Sequence, residues 1–261
     1  MSKRMRVLGL AIALVALTAP AIADSHEGPV YIWINLVKAK PGQGDALIGY
    51  WMEEDAKIYD PLVESGAAFE WGIAMPIVHP DTESHIQWIT FAGWAGVDAF
   101  MRDFMASRQA MSPEDQAESM ERYAALVEPG THRDMINRSV KLGSMNLSRP
   151  GYIHLAYFRA KPGMDSEAVG MLGEFDPVFD DLLADGTIQN YGTHVPALHR
   201  GESWTHMGWW SSENLAARDA VMSAMMTGTE DAMARWPEVF ETEHTDQVLL
   251  VVHHKVAGGG E

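Results

Sequence analysis

One segment of this chain is written twice, and that constrains its fold more than any other feature. Tyr31, Ile32 and the run Ala39, Lys40, Pro41, Gly42 lie over Tyr152, Ile153 and the run Ala160, Lys161, Pro162, Gly163 at an offset of 121. After one gap the register continues at 120, matching Gly72 to Gly192, Pro76 to Pro196 and His79 to His199. Further on, His132 and Asp134 match His244 and Asp246. Identities in one order, separated by similar lengths, predict two copies of one fold.

The composition suits that reading. Of 261 residues 47% are apolar and 21% charged, enough for a core and against disorder. There is no Cys, which excludes a disulfide scaffold and a thiolate metal site. With 19 Lys and Arg against 36 Asp and Glu the formal charge is −17, which repels phosphate backbones and anionic lipid. Nucleic acid and membrane surfaces are thereby set aside as partners, leaving a small molecule. Residues 1–23 read as an export signal: Lys3, Arg4 and Arg6, an apolar run from Val7 to Leu17, and the small residues Ala21 and Ala23 at a cleavage site. The mature chain then starts at Asp24 and is periplasmic or secreted. The expected organisation is a signal at 1–23, a first repeat at 24–145 and a second at 146–261.

Each copy reads the same way. A strand, Val30 to Lys38 in the first copy, ends at a Pro-Gly pair. Apolar residues then recur at helical spacing, at Leu47, Trp51, Ile58 and Leu62 and again at Val169, Leu172, Phe175 and Phe179. Gly66 and Gly186 stand where helix stops belong. A hairpin follows, then a second helical region, which in the first copy breaks near Ser112 and Pro113. A last strand closes each copy, at Asp134 to Leu142 and Gln247 to Lys255.

The order βαββαβ, twice, is that of tandem ferredoxin-like repeats in an α+β fold, with strands in spatial order 4-1-3-2 and helices on one face. Two such sheets can cover each other as an α/β barrel. On element order, the Lys-Pro-Gly turn and repeat length, residues 30–257 resemble the dimeric α/β-barrel superfamily, specifically tandem single-chain members similar to antibiotic-biosynthesis monooxygenases. The resemblance implies cofactor-independent oxygenation or isomerisation, haem chemistry of the chlorite dismutase type, or a stress-response role. Oligomerisation through sheet edges or outer helices is common in that superfamily. Fold alone does not choose among these.

Alternation along the strands predicts which residues face the cavity. Ile32, Ile34 and Leu36 are assigned beneath the helices, and Tyr31, Trp33 and Asn35 to the inside. In the second copy Tyr152 and His154 are expected to point inward, with Asn190, His194 and His206 beside them. A hairpin centred near residue 200 would set His194 across from His206, so three imidazoles converge with Tyr152 as a proton donor. These four are the expected catalytic residues. Trp33, Asn35, Glu70, Gln87, Asn190, Trp204 and Trp210 are the expected substrate-binding set.

Neutral imidazoles can remove a proton from an acidic carbon or phenol, and three of them can also form a first shell for zinc, copper or iron. Acid/base chemistry without cofactor or metal is the preferred expectation. The alternatives are haem or metal chemistry, lyase action on an acidic polysaccharide with Arg159 or Arg200 offsetting the negative field, and a periplasmic protein that only holds a ligand. A homo-oligomer is compatible with any of them.

Overall fold

The computed structural model describes residues 28–77, 85–144, 150–198 and 204–258. The export signal, His79, His199 and Arg200 lie outside the described residues. The first half runs β1 (Val30–Val37), α1 (Gly44–Glu54), α2 (Ala56–Glu64), β2 (Glu70–Pro76), β3 (His85–Ala92), α3 (Gly93–Ala110), α4 (Pro113–Leu126) and β4 (Arg133–Leu142). The second runs β5 (Tyr152–Ala160), α5 (Asp165–Gly173), α6 (Asp176–Ala184), β6 (Asn190–Leu198), β7 (His206–Ser212), α7 (Ala217–Gly228), α8 (Glu230–Val239) and β8 (Phe240–Val256).

Local chemistry sets these boundaries. Gly66 and Gly186 adopt φ of 75° and 79°, the left-handed conformation that ends a helix at little cost without a Cβ. Ser112 accepts a hydrogen bond from the Asp115 amide, with Pro113 at the first helical position, which divides α3 from α4 as the sequence predicts. The first helical region of each copy is also divided, at Asp55 and at Glu174–Phe175, a break the apolar spacing does not reveal.

The eight strands form one closed antiparallel barrel in the order β1-β3-β2-β8-β5-β7-β6-β4. Each half contributes four strands in the predicted order 4-1-3-2. The halves do not stack face against face, however; they join edge to edge, β2 to β8 and β4 to β6. Closure pairs every sheet edge, which leaves the outer helices as the only part of the expected assembly surface. The β2–β8 seam explains why β8 is 17 residues long, far longer than the predicted strand. It pairs with β5 over its first part and with β2 over its last. Among the described residues no helix is long and apolar enough to cross a membrane.

The matched glycines have a packing reason. Gly72 lies opposite Trp88 and Gly192 opposite Trp209. A Cβ on Gly72 would stand 2.3 Å from the Trp88 ring, and one on Gly192 would stand 2.7 Å from Trp209 Nε1. Each Trp therefore lies across a strand that only glycine leaves open. Gly72→Ala is expected to lower unfolding free energy in urea by about 2–3 kcal/mol through overpacking. Gly49→Ala, on an open helical site with nothing within 4 Å, should raise it by about 0.5–1 kcal/mol.

Candidate functional site: a cavity beneath the second set of helices

The interior of an eight-stranded barrel is just wide enough to be filled by side chains or to hold one small ligand. Here it is filled: Ile34, Leu36, Ile86, Leu155, Leu249 and Val251 form one buried cluster inside, with Trp88 and Met207. Tyr31, Trp71, Ile89 and Phe91 pack instead against the helices of the first half. The predicted faces of β1 and β5 are thus inverted. Branched aliphatic residues suit the narrow barrel, whereas long aromatic ones span the wider gap between sheet and helices.

The inversion separates the expected site residues. Glu70, Asn190, His194 and Trp204 face or pack into the barrel. By alternation Tyr152, His154, His206, Trp33, Asn35, Gln87 and Trp210 lie on the outer face, beneath the helices. His194 pairs in register with Met207, not with His206, a one-residue difference that puts the two imidazoles on opposite faces. His206 shares the face of His154, but it pairs with Phe158, four residues along β5 and so about 13 Å away. The three rings do not converge. Among the described residues no group of three or more His, Asp or Glu side chains is placed to hold a metal ion, so the three-imidazole metal shell does not form.

Each imidazole has its own surroundings. Inside the barrel, His194 Nε2 accepts a hydrogen bond from Trp209 Nε1 at 2.5 Å, and Nδ1 lies 3.0 Å from Ser139 Oγ. Accepting at Nε2 places the proton on Nδ1, which donates to Ser139. Burial pushes its pKa down to about 3, so it is neutral and both nitrogens are occupied. Asn190 is similarly engaged, through Ser144 N and O. His206 Nδ1 meets Thr205 Oγ1 at 2.8 Å, and burial lowers its pKa.

His154 differs. Its ring stacks on Trp210 with centroids 3.6 Å apart and planes 8° from parallel, and its buried Nε2 has no hydrogen-bond partner. Burial first, then the nearby Arg218 charge, lowers its pKa to about 4. This neutral ring lines a cavity of about 410 Å³ between the outer face of β5, β6 and β7 and the helices α5 to α8. Phe175, Phe179, Trp210 and Trp236 form much of the wall, with Met222 and Met233 from α7 and α8. Tyr152 is not part of this lining. Of the expected binding residues only Trp210 contributes to it.

The corresponding space in the first half is closed. Seventeen buried residues there form one cluster around Trp51, Tyr59, Trp71 and Phe100. The second half has two smaller clusters, around Phe240 and around Tyr191, with the cavity between. The barrel registers explain the difference position by position. Trp33 pairs with Ile89 where His154 pairs with Trp210, and it packs edge-on to Phe100 at 4.8 Å and donates to Asp134 at 3.0 Å.

That filled space holds a polar network. Gln87 Nε2 donates to Asp55 Oδ2 at 3.0 Å, and its Oε1 accepts from the Tyr59 hydroxyl at 3.4 Å. Burial pushes the Asp55 carboxyl up to about 6. The native state therefore holds this proton more tightly than the unfolded chain, whose Asp titrates near 3.9. Stability is fullest below about pH 4 for this group and declines as pH rises through about 6, by about 1–3 kcal/mol. Asp55→Asn is expected to flatten that part of the profile and to raise stability at pH 7.5, read by denaturant melts from pH 4 to 8. A smaller cavity of about 70 Å³ lies inside the barrel, where Glu70 and His254 meet at 2.6 Å.

No protein-family model matches the chain, and no curated protein is similar to it. Solved structures share its fold. An anthrone oxidase-like protein superposes with a TM-score of 0.60 at 16% identity over 91% of this chain and 97% of that one. A protein from Fusobacterium nucleatum, named as a monooxygenase, gives 0.60 at 8% identity, over 89% and 96%. Another so named, from Lactobacillus acidophilus, gives 0.58 at 10%, over 89% and 98%. The chain has the fold of the dimeric α/β-barrel superfamily.

Proposed function

We propose that this chain is an exported enzyme acting on a small aromatic molecule in the cavity beneath α5 to α8, with His154 as the proton acceptor. The observation that carries the reading is a buried imidazole with an unpartnered nitrogen, in the lining of an aromatic cavity whose counterpart in the other half is packed. Buried polar atoms are normally satisfied, so an exception inside a cavity points to a ligand that completes it. Two tandem ferredoxin-like copies, divided at 24–145 and 146–261, account for the asymmetry: one copy keeps a packed core, the other is freed to bind. Export rests on Lys3, Arg4, Arg6 and the apolar run after them.

The chemistry follows from the state of the ring. A neutral imidazole accepts a proton from a phenol or an activated C–H at Nε2, and the electron pair stays on the substrate. The resulting electron-rich anion reacts with dioxygen, or takes the proton back from His154 at another carbon. The first outcome is oxygenation without a bound cofactor, in keeping with the names of the three fold neighbours; the second is isomerisation. The apolar walls exclude water from the anion and strengthen every local interaction.

A second reading uses the same nitrogen. His154 would hold the iron of a bound haem, and Arg218 in the same lining would pair with one of its carboxylates. Haem would supply one-electron and oxygen chemistry. A third has the cavity hold a ligand without turnover.

These readings separate in one set of measurements. Oxygen uptake with polycyclic phenols and anthrones should fall by about 100-fold or more in His154→Gln. His194→Ala should retain turnover per folded molecule while losing about 2–4 kcal/mol of stability, because Ser139 and Trp209 are left unpaired in the core. With His154 near pKa 4, the basic form persists and the rate should stay level from pH 8 to about 5.5, falling only toward pH 4. Full activity in His154→Gln would refute the proton-acceptor role. A Soret band lost in that variant would establish the haem reading instead, and ligand binding without turnover the third.

A further inference from the structure

Arg218 stands in the first turn of α7 and in the lining of the 410 Å³ cavity. It is solvent-exposed there, and its side chain makes no ion pair among the described residues. The carboxylates of the same lining are occupied elsewhere. Asp176 Oδ2 faces Lys141 Nζ at 4.0 Å, and Asp246 Oδ2 meets His244 Nε2 at 3.2 Å. A guanidinium without a counter-ion, in a chain with 36 acidic residues and 19 basic ones, is a local exception to the field of the molecule. Distant charges are screened within about 8 Å at physiological salt, so the nearest cation decides what an anion meets at the mouth.

In the same lining, the His154 ring lies flat on the Trp210 ring, and both residues border the cavity. Arg218 and His154 line the same cavity, and the charge of Arg218 is felt at the imidazole. We propose that the cavity selects a flat, fused-ring aromatic carrying an ionised oxygen, a carboxylate or phenolate, with the rings among the aromatic walls of Phe175, Phe179, Trp210 and Trp236 and the oxygen on Arg218. This rests on the cavity being the active site and adds the charge of its substrate. A guanidinium holds such an oxygen by charge-assisted, often bidentate hydrogen bonds, which an ammonium reproduces only as a point charge.

The test compares 2-naphthoate with the neutral 2-naphthalenemethanol, by calorimetry or tryptophan quenching on the whole protein. The native protein should bind the acid about tenfold or more tightly than the alcohol, as one charge-assisted contact supplies. Arg218→Gln should erase that preference and leave alcohol affinity unchanged, and Arg218→Lys should restore part of it. Ala156→Leu, which adds bulk to the cavity floor, should weaken both probes; Met222→Trp at the mouth replaces it if near-ultraviolet circular dichroism shows misfolding. A preference that survives Arg218→Gln while the bulky variant weakens both probes overturns the anion assignment and leaves the cavity reading standing. Failure of both probes to bind, or binding indifferent to the bulky variant, overturns both.

Discussion

Closure of eight strands into one ring determines where this protein can do anything. Once the ring is shut, its interior has room for side chains and little else, and branched aliphatic residues fill it to the density of a core. Polar groups that remain inside must satisfy one another, as Trp209, His194 and Ser139 do. Chemistry is displaced to the other face of the sheet, where the depth of the gap depends on what the helices press against it.

That gap is treated differently in the two halves. In the first, Trp33, Trp71 and Phe100 meet Trp51 and Tyr59 in one continuous packing, with Asp55 and Gln87 satisfied within it. In the second, a smaller ring replaces Trp33, the aromatic residues retreat to the walls, and the two remaining clusters no longer touch across the middle. A packed half supplies rigidity and an open half supplies a place for a ligand. The seams β2–β8 and β4–β6 join the two, so the open half does not stand alone.

Much of the fold was legible in the sequence. Repeated Lys-Pro-Gly turns, paired helix-stopping glycines and the order of elements are local signals, and the 4-1-3-2 arrangement follows from connection rules. The candidate site was less so. Alternation shows that Tyr152 and His154 share a face with each other and not with Ile153, but it does not say which face looks into the barrel. The aliphatic set was assigned to the helices, and the structure puts it inside. A one-residue difference in the β6–β7 register then separated His194 from His206. Asp55 and Arg218, both outside the strands, carry no spacing motif; only packing reveals that one is buried and the other faces a cavity. The one early signal was at Gly72 and Gly192, whose recurrence marked the Trp crossings of the barrel interior.

The length of β8 has a consequence for how this molecule holds together. Residues 240 to 250 are hydrogen-bonded to one half and residues 249 to 256 to the other, in a single uninterrupted segment. The halves therefore share a hinge-free splint: neither can peel away without breaking a strand that its neighbour also needs. Severing the polypeptide between β4 and β5 would not yield two autonomous pieces, since the N-terminal fragment would lose the segment that covers β2. What began as two units has become mechanically one.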